Sequence, residues 1–287
     1  MDIVLDTDTF NEIDDQFAIA YLLKNQSLLN TVSIYAAPFS NELAATPEIG
    51  MEMSYQEIDK ILKLMNIDKP FFRGSTQYMA DEHTPVISDA ARDLARRVKE
   101  YSPENPLYVV AIGAITNVAS AMLLEPVMRD NAVIVWLGGH AHHFRDTAEF
   151  NMRQDIAAAR VVMSSGVRMV QLPCRGVVSD FTISKPELEY WLVGKNPLAD
   201  YLAQATIRKA ETYASGKPWT RPIWDVTAVA WLLNDGNRFM YSRRIPAKLP
   251  GYDGGYTEEA APEIDYVYYI CRDTLMADLI EKLTCPQ

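Results

Sequence analysis

The stretch MDIVLDTDTFNEIDDQFAIAYLL, residues 1–23, decides how the rest of the chain is read. Asp2-Ile3-Val4-Leu5 is a short apolar run of strand type, and it ends in Asp6-Thr7-Asp8. Asp14-Asp15 then precede an apolar run with helical spacing: Phe17, Ile19, Ala20, Leu22 and Leu23. A buried strand thus runs into an acidic turn, and the turn into a helix. Asp6, Asp8, Asp14 and Asp15 crowd together, with Glu12 among them. Such a cluster repels itself unless a cation or tightly held donors compensate it. Hard cations such as Ca²⁺ and Mg²⁺ prefer oxygen ligands of this kind.

The pattern repeats outward from this stretch. Thr31 to Ala37, Pro70 to Phe72, Leu107 to Ile112, Ala132 to Leu137 and Val167 to Leu172 read as strands. Met51 to Met65, Ser88 to Tyr101, Thr116 to Leu124 and Asp155 to Ser165 read as the helices between them. The continuous apolar run LYVVAI at 107–112 is of buried parallel-strand type. Farther on, Lys185 to Val193, Pro197 to Ala214, Asp225 to Leu233 and Asp273 to Leu283 are helical, and Ile264 to Ile270 is a late strand. Gly216 to Pro222 reads as a loop, and Ile245 to Pro262 as a long loop or hairpin region. Alternating strands and helices point to βαβ units and a parallel sheet. The expectation is one α/β domain, residues 1–287, with an open, mostly parallel sheet and helices on both faces.

The totals narrow the function classes. With 48% hydrophobic residues, the 287-residue chain can bury a sizeable core. Its 27 basic against 38 acidic residues give a net charge of −11. That disfavours nucleic acid and anionic membrane as partners, since both need a basic footprint. No apolar run approaches the roughly 20 residues of a membrane span. No signal-peptide pattern opens the chain. Cys174, Cys271 and Cys285 fit neither a zinc site nor a disulfide framework, so reduced thiols and a cytoplasmic location are expected.

In open α/β sheets, ligands bind beyond the carboxyl ends of the strands. There the sequence delivers Asp6 and Asp8, then Asn41, then the Ile112 carbonyl before Gly113, then Gly138-Gly139 followed by Glu149-Phe150-Asn151. These groups suit a cation or a hydroxylated ligand. A nucleotide-phosphate site is excluded, because no GxGxxG follows the first strand and no GxxxxGK[ST] occurs. Plainer roles compete: Asp14, Asp15 and Asp225 suit helix caps, Asn41 a turn, and Glu149 the surface. His83 sits in a polar loop, and His140, His142 and His143 lack the helical spacing of a zinc site.

Taken together, these features resemble the inosine–uridine nucleoside hydrolase family. The resemblance rests on Asp6-Thr7-Asp8 with Asp14-Asp15, on Gly113 followed by Thr116-Asn117, on Glu149-Phe150-Asn151, and on Trp224-Asp225 opening a late helix. It implies Ca²⁺-dependent hydrolysis of the N-glycosidic bond of ribonucleosides, by a metal-activated water with Asp8 as general base. It implies Asp8, Asp15, Asp225 and the Ile112 carbonyl as Ca²⁺ ligands. Asp14, Asn41, Glu149 and Asn151 would hold the ribose, with Asp6 behind the loop. Phe150 and Trp224, with Trp219 as another choice, would stack on the base, and His83 joins the substrate-binding candidates. A homo-oligomer, dimer or tetramer, is implied by analogy.

Three departures accompany the resemblance. Five residues separate Asp8 from Asp14, where the common form has three. Trp224 stands where many members carry the histidine proposed to protonate the leaving base, so His143 becomes the candidate acid. His143 itself stands where an asparagine is common. Two alternatives remain: a metal- and sugar-binding protein with weak or no catalysis, and a Mg²⁺-dependent phosphohydrolase of the haloacid dehalogenase type. The latter also opens with Asp-x-Asp but needs a late acidic pair such as Gly-Asp-x-x-x-Asp, which is not found.

Overall fold

A computed structural model describes residues 1–285. The elements are β1 (Asp2–Thr7), α1 (Asp14–Lys24), β2 (Asn30–Ala36), α2 (Pro47–Met65), β3 (Phe71–Arg73), α3 (Asp89–Arg97), β4 (Leu107–Ala111), α4 (Thr116–Leu124), α5 (Met128–Asn131), β5 (Ala132–Leu137), α6 (Phe150–Gln154), α7 (Ile156–Ser164), β6 (Arg168–Leu172), β7 (Thr182–Ser184), α8 (Lys185–Trp191), α9 (Pro197–Ala214), β8 (Thr220–Pro222), α10 (Val226–Trp231), β9 (Met240–Pro246), β10 (Glu263–Ile270) and α11 (Arg272–Thr284). Eight strands form one sheet in the order β3-β2-β1-β4-β5-β6-β10-β9. All neighbours run parallel except the β9–β10 pair.

The central strands are apolar on both faces because both faces are covered. Ile3 and Leu5 of β1 pack with α1, α2 and α8 to α11, whereas Val4 packs with α3, α4 and α7. The same alternation sends Val133 and Val135 of β5 to the first layer and Ile134 and Trp136 to the second. This is the period-2 signature of a strand between two layers. Helix α1 is enclosed all round: every residue from Asp14 to Leu23 is buried, as the continuous apolar run from Phe17 to Leu23 requires. Burying a side chain such as Phe17 or Leu22 contributes roughly 1.5–3 kcal/mol.

Strand β1 has β2 on one side and β4 on the other. The chain leaves β1 toward β2 and β3, then returns to lay β4 along the opposite edge. That reversal opens a crevice beyond the carboxyl ends of β1 and β4, the usual ligand position of such sheets.

Some elements differ from the sequence expectation. Helix α2 starts at Pro47 rather than Met51, because the Thr46 hydroxyl accepts from the Ile49 N–H and proline occupies the first turn. Residues 220–222, expected as loop, pair antiparallel with β7 as a small separate two-stranded sheet. The Ile245 to Pro262 region is mostly the connection of the β9–β10 hairpin, whose first strand was not anticipated. No helix among the described residues is long and apolar enough to cross a membrane, and the three cysteines are free.

Candidate active site

The end of β1 sets the first carboxylates. The Ile112 N–H donates to the Asp6 carbonyl at 2.8 Å and the Ala37 N–H to the Thr7 carbonyl at 2.8 Å, so the ladder extends one step past each neighbouring strand. Asp6 faces away from the crevice. Its Oδ1 accepts from Asn117 Nδ2 at 2.8 Å, and the same amide reaches the Ala36 carbonyl and, through its oxygen, the Ser75 N–H. Burial pushes the Asp6 carboxyl up to about 7, against the lowering effect of Asn117. Asp6 therefore braces the strand ends from behind, as expected.

Asp8, Asp14, Asp15 and Asp225 line one cavity of about 660 Å³, together with Ile112, Asn41, Glu149, Phe150, Asn151 and Trp224. All four aspartates are buried. Asp14 and Asp15 open α1, where the helix dipole favours negative charge, and Asp225 is the cap residue of α10 but caps nothing with its side chain. Carboxylate oxygens of Asp14, Asp15 and Asp225 lie within 4.8 Å of one another. Like charges about 4 Å apart repel by roughly 4 kcal/mol at an effective dielectric of 20, so these groups cannot all stay ionised without a positive partner.

The acidities agree with that count. Burial, then the charges of Asp15 and Asp14, holds the Asp8 carboxyl well above the usual range. Burial and Asp14 do the same to Asp15, despite the bond at 2.5 Å from the Thr7 hydroxyl to its Oδ1. Burial and Glu12 push Asp14 up to about 7, and burial with Asp14, Asp15 and Asp8 raises Asp225. Among the described residues, no donor reaches either oxygen of Asp14, Oδ2 of Asp8 or Oδ1 of Asp225.

The opposite wall is built differently. Glu149 precedes α6 and caps it: Oε1 accepts from the Asn151 N–H at 2.9 Å, and Oε2 from the Met152 and Gly139 N–H groups at 2.9 Å each. Burial holds its carboxyl above the usual carboxylate range, opposed by those three bonds. Asn151 Nδ2 donates to the carbonyls of Ile112 at 3.2 Å and Leu137 at 3.0 Å, tying the ends of β4 and β5 together. Asn41 forms an Asx turn with the Leu43 and Ala44 N–H groups and donates to Asn11 Oδ1 at 2.8 Å.

The donors at this corner are all oxygen: the carboxylate trio of Asp14, Asp15 and Asp225, with Asp8 and the Ile112 carbonyl on the same cavity wall. A carbonyl has a second lone pair beyond the one Asn151 uses. Such a set fits a hard cation, Ca²⁺ or Mg²⁺, and not a soft one. One detail differs from the sequence expectation, because Asp14, assigned there to the sugar alone, stands within the carboxylate trio with Asp15 and Asp225.

Two predicted residues lie elsewhere. His143 is exposed, stacked on Phe144 with ring centroids 4.5 Å apart, and does not line the cavity. His83 is exposed in a turn, its N–H on Asp81. His142 instead bonds Gln171 at 3.1 Å, and Trp219 belongs to a separate surface hollow. Sequence reasoning missed Arg221, Arg153, Lys209 and Tyr213 on the cavity wall. Arg221 Nη2 sits 2.6 Å from Glu12 Oε2. Its only sequence signal is its place just before Trp224-Asp225.

An α/β protein with an oxygen-lined cavity at the point where its strand order reverses is the class these observations define. The chain belongs to the inosine-uridine preferring nucleoside hydrolase family, whose model matches residues 3–266. It is 26% identical over 258 residues to the non-specific ribonucleoside hydrolase RihC of Salmonella paratyphi B, covering 80% of this chain and 78% of that one. Its fold matches an inosine-guanosine nucleoside hydrolase at a TM-score of 0.78 and 18% identity, over 100% and 99% of the two chains. A purine-preferring ribonucleoside hydrolase from Gardnerella vaginalis matches at 0.75 and 16% identity, over 99% and 98%. The chain is thus a glycosidase of the type that acts on N-glycosyl compounds.

Proposed function

We propose that the chain hydrolyses the N-glycosidic bond of ribonucleosides to ribose and free base, with Ca²⁺ as its metal. The observation that carries this reading is the corner of Asp8, Asp14, Asp15 and Asp225, buried and short of hydrogen-bond donors within a cavity large enough for a nucleoside. Asp8, Asp15, Asp225 and the Ile112 carbonyl hold the ion, and Asp14 stands close enough to share in it. The bound ion supplies a positive centre that orients ribose hydroxyls and acidifies a water.

The remaining chemistry belongs to the chain. Asp8 accepts the proton of the attacking water. Glu149, Asn151 and Asn41 hold the sugar, and the surrounding carboxylates stabilise the positive charge that builds on the ribosyl ring as the bond to the base breaks. Phe150 and Trp224 offer flat surfaces to the base. No histidine lines the cavity among the described residues. We therefore assign no role to His143 or His83, and leaving-group activation rests on base stacking and on the other polar residues of the wall. Family membership sets the phosphohydrolase alternative aside.

The test is a nucleoside panel assayed for reducing sugar with Ca²⁺ and with EGTA. Ribose release that needs Ca²⁺ and disappears in Asp8→Ala is expected. Phosphate release from phosphomonoesters without ribose release, or ribose binding with no turnover of any nucleoside, would overturn the reading.

A further inference from the structure

The acidic turn between Asp8 and Asp14 has a residue engaged across the cavity. Glu12 lies two positions before Asp14, and Arg221 four positions before Asp225. Their side chains meet at 2.6 Å, Arg221 14% exposed and Glu12 33%. Burial works against the Arg221 charge, yet Glu12 and Asp14 hold its proton more firmly than usual. Arg221 is not on a free loop. It stands in the two-stranded β7–β8 sheet opposite Ile183, and Arg272 pins that sheet by donating to the Thr182 carbonyl at 2.8 Å. The turn is tethered at its other side, where Asn11 N–H donates to the Asp8 carbonyl at 2.7 Å and Asn41 reaches Asn11.

The carboxylate trio draws on two separate helix starts, Asp14 and Asp15 on α1 and Asp225 on α10. The Glu12–Arg221 pair joins the segments immediately before those same two starts. We propose that this ion pair is a clasp that sets the separation of the α1 and α10 carboxylates, making Glu12 and Arg221 positioning residues for the cation site. The proposal rests on the metal-dependent reading above. It gives Glu12 a purpose in the turn, where its carboxylate lies within reach of β8.

Charge and geometry predict opposite signs for one variant. If only charge mattered, Arg221→Met would remove a repelling cation and tighten metal binding, while Glu12→Gln would loosen it. If the pair is a clasp, both loosen it. Calorimetric titration of Ca²⁺ into chelated, dialysed full-length protein reads the difference. The expected result is about 10- to 100-fold weaker binding in each single variant, the usual cost of losing a partner behind a metal ligand. The double variant should be no worse than either single one. Arg221→Lys keeps the charge but loses the planar fork. It is expected to weaken binding too, and it carries the test if Arg221→Met does not fold. Unchanged or tighter binding in the Arg221 variants, or additive losses in the double variant, overturns the clasp while leaving the function intact. A parent protein that cleaves no nucleoside and binds no Ca²⁺ overturns both.

Discussion

The two walls of the cavity carry the same kind of group and treat it in opposite ways. On one wall the Glu149 carboxylate receives three backbone N–H groups at 2.9 Å, and the Asn151 amide nitrogen bridges two strand ends. On the other, Asp8, Asp14 and Asp225 keep buried oxygens without donors, and burial with neighbouring carboxylate charges holds all three above the usual carboxylate range. The first wall is hydrogen-bonded within the protein and supports the fold. The second crowds carboxylates that a bound cation would compensate and is costly to the fold without one. A buried carboxylate is therefore no single signal; what distinguishes the two is the supply of donors.

Substitutions on the cation wall should separate activity from stability most strongly. Asp225→Asn is expected to lower ribose release by about a thousandfold or more, in the range of losing a charge-stabilising group of the transition state. In EGTA the same change should leave the melting temperature unchanged or raise it, since it removes one of several repelling carboxylates. An equal loss of stability in EGTA would show that Asp225 supports the fold, and the contrast between walls would fail.

The Glu149 wall should respond in the reverse sense. Glu149→Gln leaves one acceptor oxygen for three N–H groups, and each buried donor left unsatisfied costs about 1–3 kcal/mol. Urea unfolding should show that loss to the same extent with Ca²⁺ and with EGTA. A destabilisation that Ca²⁺ erases would place Glu149 with the metal instead.

A pH series sharpens the comparison further. Asp6 and Asp14 titrate near 7 in the folded, metal-free protein and near 3.8 when unfolded. Between those values the unfolded chain binds fewer protons, so this contribution is full at low pH and is lost as pH rises toward 7. On the proposed function, a bound Ca²⁺ would take the place of the protons on the Asp14 wall. The gap in melting temperature between Ca²⁺-loaded and chelated protein should then widen as pH rises from 5 through about 7. A gap independent of pH would contradict the assignment. The smallest effect belongs to residues outside both walls: His143→Ala and His83→Ala should change kcat/KM by less than about twofold, and a larger loss would bring those loops into the site.

The legibility of the molecule follows the same division. Strands β1, β2, β4, β5 and β6 could be read because a strand covered on both faces must be almost wholly apolar, as AVIVWL at 132–137 is. Strand β9 escaped because it is the sheet's outer edge, and Tyr241, Ser242, Arg243 and Arg244 are all exposed there. Strands β7 and β8, at three residues each, carry no periodicity to detect. In the site, the strand-end rule gathered Asp8, Ile112, Glu149 and Asn151 before any coordinates. It could not rank Asp14 among the carboxylate trio, since that depends on the approach of α10 to α1. Arg221 was invisible for the same reason: its partner Glu12 is more than two hundred positions away. The His143 expectation came from alignment to a motif, and the loop at 140–150 instead turns that ring onto Phe144.

The central claim is that nucleoside cleavage depends on a cation at the Asp8, Asp15 and Asp225 corner. The most direct test titrates Ca²⁺ into chelated protein in the presence of mixed purine and pyrimidine ribonucleosides and follows ribose release against bound metal. The account predicts no release at the start, a rise in proportion to occupancy, and saturation at one equivalent of Ca²⁺ per chain. Release from the chelated protein at the rate of the loaded one, or none at any Ca²⁺ concentration, would contradict it.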